Sequence, residues 1–204
     1  MNQIRGLLAE HGVAIGRDIS RLRRALQQMK EDESPKLGAL ITELANEVHE
    51  ELAALDARIV SYTRRIRELF RNNEMCQRIG KVEGIGPITA TALVAAIGDR
   101  NCFQNGRQFA AWLGLVPKQR SSGGKSRLFG ISKREDRYLR TLMIHGARAV
   151  LAKAGGKQDP KSRWINQMRE RRHPNVVAVA LANKTARIVW SLLARGEEYR
   201  PAAI

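Results

Sequence analysis

The sequence predicts an all-α, or nearly all-α, protein. A long helical hairpin or coiled coil is followed by a small helical domain with a helix-hairpin-helix motif and a basic Ser-Gly loop. Three observations predict it. Apolar residues recur at steps of three and four through most of residues 15–69. A Gly-Ile-Gly-Pro turn at residues 84–87 separates two short helical stretches. No segment shows the sustained apolar/polar alternation of a half-buried strand, and no internal repeat is present.

Residues 3–30 read as one helix, with Ile15, Ile19, Leu22, Leu26 and Met29 on one stripe. The acidic turn Glu31-Asp32-Glu33 leads to Ser34 and Pro35, a cap and first-turn pair that opens a second helix. Its stripe runs Leu37, Ile41, Leu44, Val48, Leu52, Leu55, Ile59, Tyr62, Ile66 and Leu69, with a stutter-like extra four-residue step near Val48. The shorter first helix cannot cover ten such positions. A second chain or domain is therefore expected against the stripe, which makes residues 1–73 an oligomerisation arm; the alternative is a helical bundle inside one globule.

Residues 74–204 form the second domain. Cys76 to Val82 is a helical turn, 83–87 a tight turn and Ile88 to Ile97 an Ala-rich helix, so the motif spans 76–98. Gly106 to Leu113 is a short helix anchored by Phe109 and Trp112. Residues 115–130 are polar and glycine-bearing and read as a long loop, a feature often functional inside a compact domain. Ser132 and Glu135 have capping-box spacing, which starts a helix there. Leu139, Leu142, Met143, Ala147, Val150 and Leu151 give that helix its apolar face. Residues 154–162 read as a loop and Trp164 to Arg172 as a short basic helix. Pro174 opens a last helix that Gly196 stops.

Charge separates the two parts. Lys and Arg total 36 against 20 acids, a net charge of +16. Residues 1–75 hold 12 bases and 12 acids, so the whole excess falls in residues 76–204. A polyanion is the expected partner. Two cysteines, Cys76 and Cys102, make neither a disulfide framework nor a zinc cluster, and no metal site is expected. No apolar run approaches the length of a bilayer span, so no membrane role and a cytoplasmic, nucleoid-associated location are expected.

Three motifs carry chemistry. In the turn, Gly84 and Gly86 let the backbone approach a phosphate, and the amides opening the next helix point at it. Lys118, Arg120, Lys125, Arg127, Lys133, Arg134, Arg137 and Arg140 crowd eight bases into 23 residues against two acids, a density suited to a phosphate backbone. Ser121-Ser122-Gly123-Gly124 lies among them. Such a sequence is commonly a plain turn; a serine attacks phosphorus only where its hydroxyl loses its proton and cations stabilise the phosphoryl oxygens. His145 and Arg148, one helical turn apart, read as packing or surface. Trp112, Trp164 and Trp190 read as core or interface anchors, with base stacking by Trp164 a lesser alternative. Lys184 and Arg187 are further candidates to face nucleic acid.

An ordered series of segments adds to this. Gly84 to Pro87, Ala92 to Asp99, Phe109 to Pro117, Ser121 to Lys125, Gly130 to Lys133, Asp136 to Arg140, His145 to Arg148 and Val179 to Arg187 together resemble the C-terminal domain of the DEDD-type insertion-sequence transposases. These are relatives of the Piv and MooV DNA invertases, the insertion-sequence one-ten/eleven-eleven family. The resemblance covers essentially the whole chain. It implies a serine before glycine that links covalently to DNA, here Ser122 with Ser121 as rival. It also implies a RuvC-like carboxylate domain that binds Mg2+, a coiled coil between domains, DNA as partner and, in relatives, a bridge RNA guide. Glu135 stands where relatives carry glycine. The chain shows no DEDD set, so no cofactor and no independent recombinase activity are expected of it. It reads as a part of a transposase that contributes to strand exchange. The alternative is a non-catalytic DNA- or RNA-binding module or regulatory subunit.

Overall fold

The computed structural model describes the chain except for Met1 and residues 32–38, 99–102, 123–124, 135 and 201–204. It falls into two compact units, Met1–Arg64 and Arg65–Ile204. Among the described residues there are nine helices and one two-stranded sheet, so the nearly all-α expectation holds.

In the first unit, the helix expected over 3–30 is two helices, α1 (Asn2–Glu10) and α2 (Ile19–Glu31). Gly12 ends the first by taking φ 80°. Its amide donates to the Ala9 carbonyl at 3.0 Å and the Val13 amide to the Leu8 carbonyl at 2.8 Å, the paired bonds of a glycine helix stop. Asp18 starts the second, accepting the Ser20 amide at 3.2 Å. The apolar spacing runs through this break because Val13 and Ile15, in the connector, pack on the same cluster as Leu8, Leu22 and Leu26. Periodicity alone could not show the interruption.

The long helix α3 spans Ala39–Arg71. The expected cap at Ser34-Pro35 and the first stripe position, Leu37, lie outside the described residues. Ile41 and Ala45 are buried, and Val48 and Leu52 half-buried, in the cluster shared with α1 and α2. Arg23 pairs with Asp56 at 2.8 Å beside it. Farther along, Leu55 and Ile59 are 42% and 62% exposed, so the stripe outruns the cover that α1 and α2 give it.

The second unit is built on α9 (Pro174–Arg195), whose buried residues include Val177, Leu181, Ala186 and Val189. Around it pack α4 (Glu74–Gly80), α6 (Gly106–Trp112), α7 (Arg137–Ala152) and α8 (Pro160–Arg171). The helix α5 (Pro87–Ile97) pairs with α4 and α7. Phe109, Leu93, Leu113, Met143 and Ile165 fill the centre, and the Phe109 ring stacks on Trp112 at 5.8 Å. Trp112, Trp164 and Trp190 are partly buried against this core. Among the described residues α9 alone has the length and apolarity to cross a membrane; half of it is buried inside the unit, as a core helix must be.

Side chains set the helix starts. Asn73 accepts the Cys76 amide at 3.0 Å, and Asn105 accepts the Arg107 and Gln108 amides at 3.0 Å. Asp159 accepts the Ser162 amide at 3.0 Å, so α8 opens at Pro160, inside the expected loop. Gly196, at φ 70°, ends α9 as expected.

Two further expectations are corrected. The stretch expected as a loop over 115–130 is instead taken up by β1 (Pro117–Ser122) and β2 (Lys125–Ile131), an antiparallel hairpin that runs one residue past it. Its strands cover no core, and even the apolar Leu128 and Phe129 stand exposed, so they lack the alternation that betrays a half-buried strand. The helix expected from Ser132 starts at Arg137 instead. Asp136 caps it, accepting the Tyr138 and Leu139 amides at 2.7 and 3.0 Å, while Glu135 lies outside the described residues.

Candidate nucleic-acid interface

The hairpin collects the basic residues. Lys118, Arg120, Lys125 and Arg127 are exposed on it, Lys133 and Arg134 on its exit strap, and Arg137 in the first turn of α7. Register sorts them. Arg120 pairs with Arg127, Ser121 with Ser126, and Ser122 with Lys125. Side-chain direction alternates along a strand, so positions 120, 122, 125 and 127 share one face and 119, 121, 126 and 128 the other. Ser122 thus holds a register position on the cationic face; its side chain lies outside the described residues. Ser121 is exposed on the opposite face, its hydroxyl accepting from the Gln119 amide nitrogen at 2.9 Å.

Two arginines directly across an antiparallel ladder repel. The Arg120 guanidinium lies 6.0 Å over the Phe129 ring, a placement that leaves its charge uncompensated. Among the described residues no carboxylate pairs with the four hairpin cations. A phosphate on this face would relieve the repulsion.

The base of the hairpin is fastened to the core. The Ser132 amide donates to the Val116 carbonyl at 2.8 Å and the Lys133 amide to the Gly114 carbonyl at 3.3 Å. Arg140, expected at the surface with the other cations, is only 9% exposed, and its guanidinium donates to the Arg134 carbonyl at 2.8 Å. Gly114, at φ 68°, takes the remaining space: a Cβ there would stand 2.6 Å from the Arg134 carbonyl oxygen. Lys133 itself has φ 54°, a strained value for a side-chain-bearing residue.

The glycines of the α4–α5 turn differ from one another. Gly84, at φ 91°, faces α7: a Cβ there would stand 2.9 Å from the Gly146 carbonyl oxygen. Gly86 opens onto empty space and caps α5 without a side-chain bond. Helix α7 therefore touches both candidate regions, receiving the turn at Gly146 and the hairpin base at Arg140. Burial raises the Cys76 thiol above its ordinary range.

Sequence reasoning passed over Arg107. It stands in the first turn of α6, where the helix dipole disfavours a cation, and that placement was the available signal.

Residues 76–164, from α4 through the hairpin to α8, match the model of the transposase IS116/IS110/IS902 family. This chain matches a C-terminal part of that family. A probable family 20 transposase of Pseudomonas aeruginosa is 51% identical over 201 residues, covering 98% of this chain and 60% of the relative. The transposase for insertion sequence element IS1111A of Coxiella burnetii is 42% identical over 203 residues, covering 100% and 56%. The transposase for insertion sequence element IS1328 of Yersinia enterocolitica is 36% identical over 195 residues, covering 96% and 58%. The chain thus spans little more than half the length of these relatives.

Proposed function

We propose that this chain is the DNA-binding part of a transposase, that its cationic hairpin holds a phosphate backbone, and that Ser122 attacks a phosphodiester there. The observation that carries this reading is the Arg120–Arg127 pair, two facing cations on the strand face that includes position 122. Attack by the serine oxygen on phosphorus would form a serine phosphodiester to one strand end. The displaced sugar oxygen would leave as a hydroxyl, taking up the proton the serine gives up. Arg120, Lys125 and Arg127 would stabilise the charge on the phosphoryl oxygens. Gly86 and the first amides of α5 would hold a second phosphate, as in a helix-hairpin-helix clamp.

Among the described residues no group of three or more His, Cys, Asp or Glu stands together. They do not fit a metal centre. The clustered carboxylates that two-metal phosphoryl transfer needs would come from a separate domain.

The exposed Leu55 and Ile59 support a homo-oligomer joined through α3, because burying such a stripe releases apolar area from water. A guide RNA on the basic unit belongs to the same reading, as does a cytoplasmic, nucleoid-associated location. That stripe equally supports the regulatory alternative, in which the chain joins full-length transposase subunits. Coexpression with a full-length relative separates the two: mixed oligomers that block transposition favour the regulatory form.

The nucleophile is tested by covalent capture of DNA in a full-length transposase carrying this region. Ser122→Ala should abolish capture and leave DNA affinity within about twofold, whereas Ser121→Ala should retain capture. Capture surviving in Ser122→Ala overturns the assignment.

A further inference from the structure

We propose that the cleft between α6 and α9 binds an unpaired nucleotide: Trp164 stacks its base, and Arg107 and Arg187 hold the flanking phosphates. This deepens the nucleic-acid reading and rests on it. The cleft is open to solvent and offers about 800 Å3, a size that suits a small ligand. Trp164, Trp190 and Ile188 give it an apolar lining, each partly buried against the core. Arg107, Lys184 and Arg187 line it too and are exposed. Among the described residues none of the three meets a carboxylate. Aromatic lining with an uncompensated cationic rim is the chemistry that single-stranded nucleic acid recognises.

The approach of the two helices fixes the arrangement. A Cβ on Gly106 would stand 3.1 Å from the Cα of Arg187, so the start of α6 lies directly on α9 at that residue. Arg107, the next residue, lines the same cleft as Arg187. Lys184 and Arg187 are one turn apart on α9, where like charges repel. Three neighbouring cations without acids disfavour one another until an anion arrives.

The Lys184 ammonium lies 5.0 Å over the Trp164 ring. It occupies a ring face with one flexible cation, a weak interaction at an exposed position. A nucleobase offers that face far more area, and the displaced ammonium becomes available to a phosphate. Paired bases are already stacked inside a duplex, so the occupant must be unpaired. Stacking tolerates any base, so the shared chemistry is a single strand, from DNA or from RNA.

The test uses the full chain and fluorescence anisotropy with four probes of equal length: oligothymidine, oligouridine, an abasic deoxyribose-phosphate strand and a DNA duplex. Wild type should bind oligothymidine or oligouridine about tenfold tighter than the abasic strand. Trp164→Leu should erase that preference and leave duplex binding unchanged. Tighter oligouridine identifies RNA as the source, and tighter oligothymidine identifies single-stranded DNA. Arg187→Ser, at an exposed position, reads the same cleft should Trp164→Leu fail to fold, and it must weaken single-strand binding. Duplex binding without a preference for base-bearing strands, a preference surviving in Trp164→Leu, or unchanged single-strand affinity in Arg187→Ser overturns the proposal and leaves the duplex reading standing. Binding to none of the probes sinks both.

Discussion

Gly84 and Gly146 meet backbone to backbone: the carbonyl of the first, in the α4–α5 turn, lies where a Cβ on the second would be. The turn can sit on α7 only because neither residue carries a side chain.

An alanine at residue 146 should therefore destabilise the protein. In an open helix Gly→Ala gains up to about 1 kcal/mol. Here the added carbon overlaps a carbonyl, and overpacking of that kind costs about 1–3 kcal/mol. Gly6→Ala, in α1 with nothing within 4 Å of its Cβ site, is the matched control and should stabilise. Urea unfolding of both variants checks the opposite signs; a stabilised Gly146→Ala contradicts the close crossing.

Arg140 is the structural exception among the basic residues. Its buried guanidinium ties the Arg134 carbonyl at the hairpin base. Arg140→Met keeps most of the volume and removes a charge-assisted hydrogen bond worth about 1.5–3 kcal/mol. Hydrogen exchange should quicken at the Ser132 and Lys133 amides, while amides of α9 keep their protection. Equal loosening throughout would mean that Arg140 supports the core rather than the hairpin.

Asp159 gives an acid-limb prediction. Its hydrogen bonds with Ser162 hold its carboxyl below the ordinary range. A carboxyl lowered by folding contributes stability above its unfolded pKa, and that contribution is lost as pH falls through the folded pKa. Asp159→Asn should keep the cap at neutral pH and flatten the acid-side fall of melting temperature. Asp159→Ala should lose stability at neutral pH as well. An unchanged acid limb in the asparagine variant contradicts the linkage.

Much of this was legible in the sequence, for physical reasons that also mark where legibility stopped. Gly196 and Pro174 announced their helix ends because backbone conformation dictates those residues. The α1–α2 break was hidden because Val13 and Ile15 stay on the cluster across the turn. The hairpin was hidden because β pairing leaves no pattern when neither face is buried. Its register then supplied what composition could not, placing positions 121 and 122 on opposite faces. Ser132 and Glu135 had capping spacing, yet Asp136, one residue beyond, closes the first turn of α7. Density alone grouped Arg140 with the surface cations; only packing showed it buried.

Whether the hairpin face neutralises phosphates is read most directly from the salt dependence of duplex DNA binding. Wild type should show a steep negative slope of log affinity against log salt. Arg120→Ser together with Arg127→Ser should make it shallower by about 1.8, or about 0.9 for each phosphate no longer neutralised. A slope unchanged by removing both arginines would contradict a phosphate-holding role for this face.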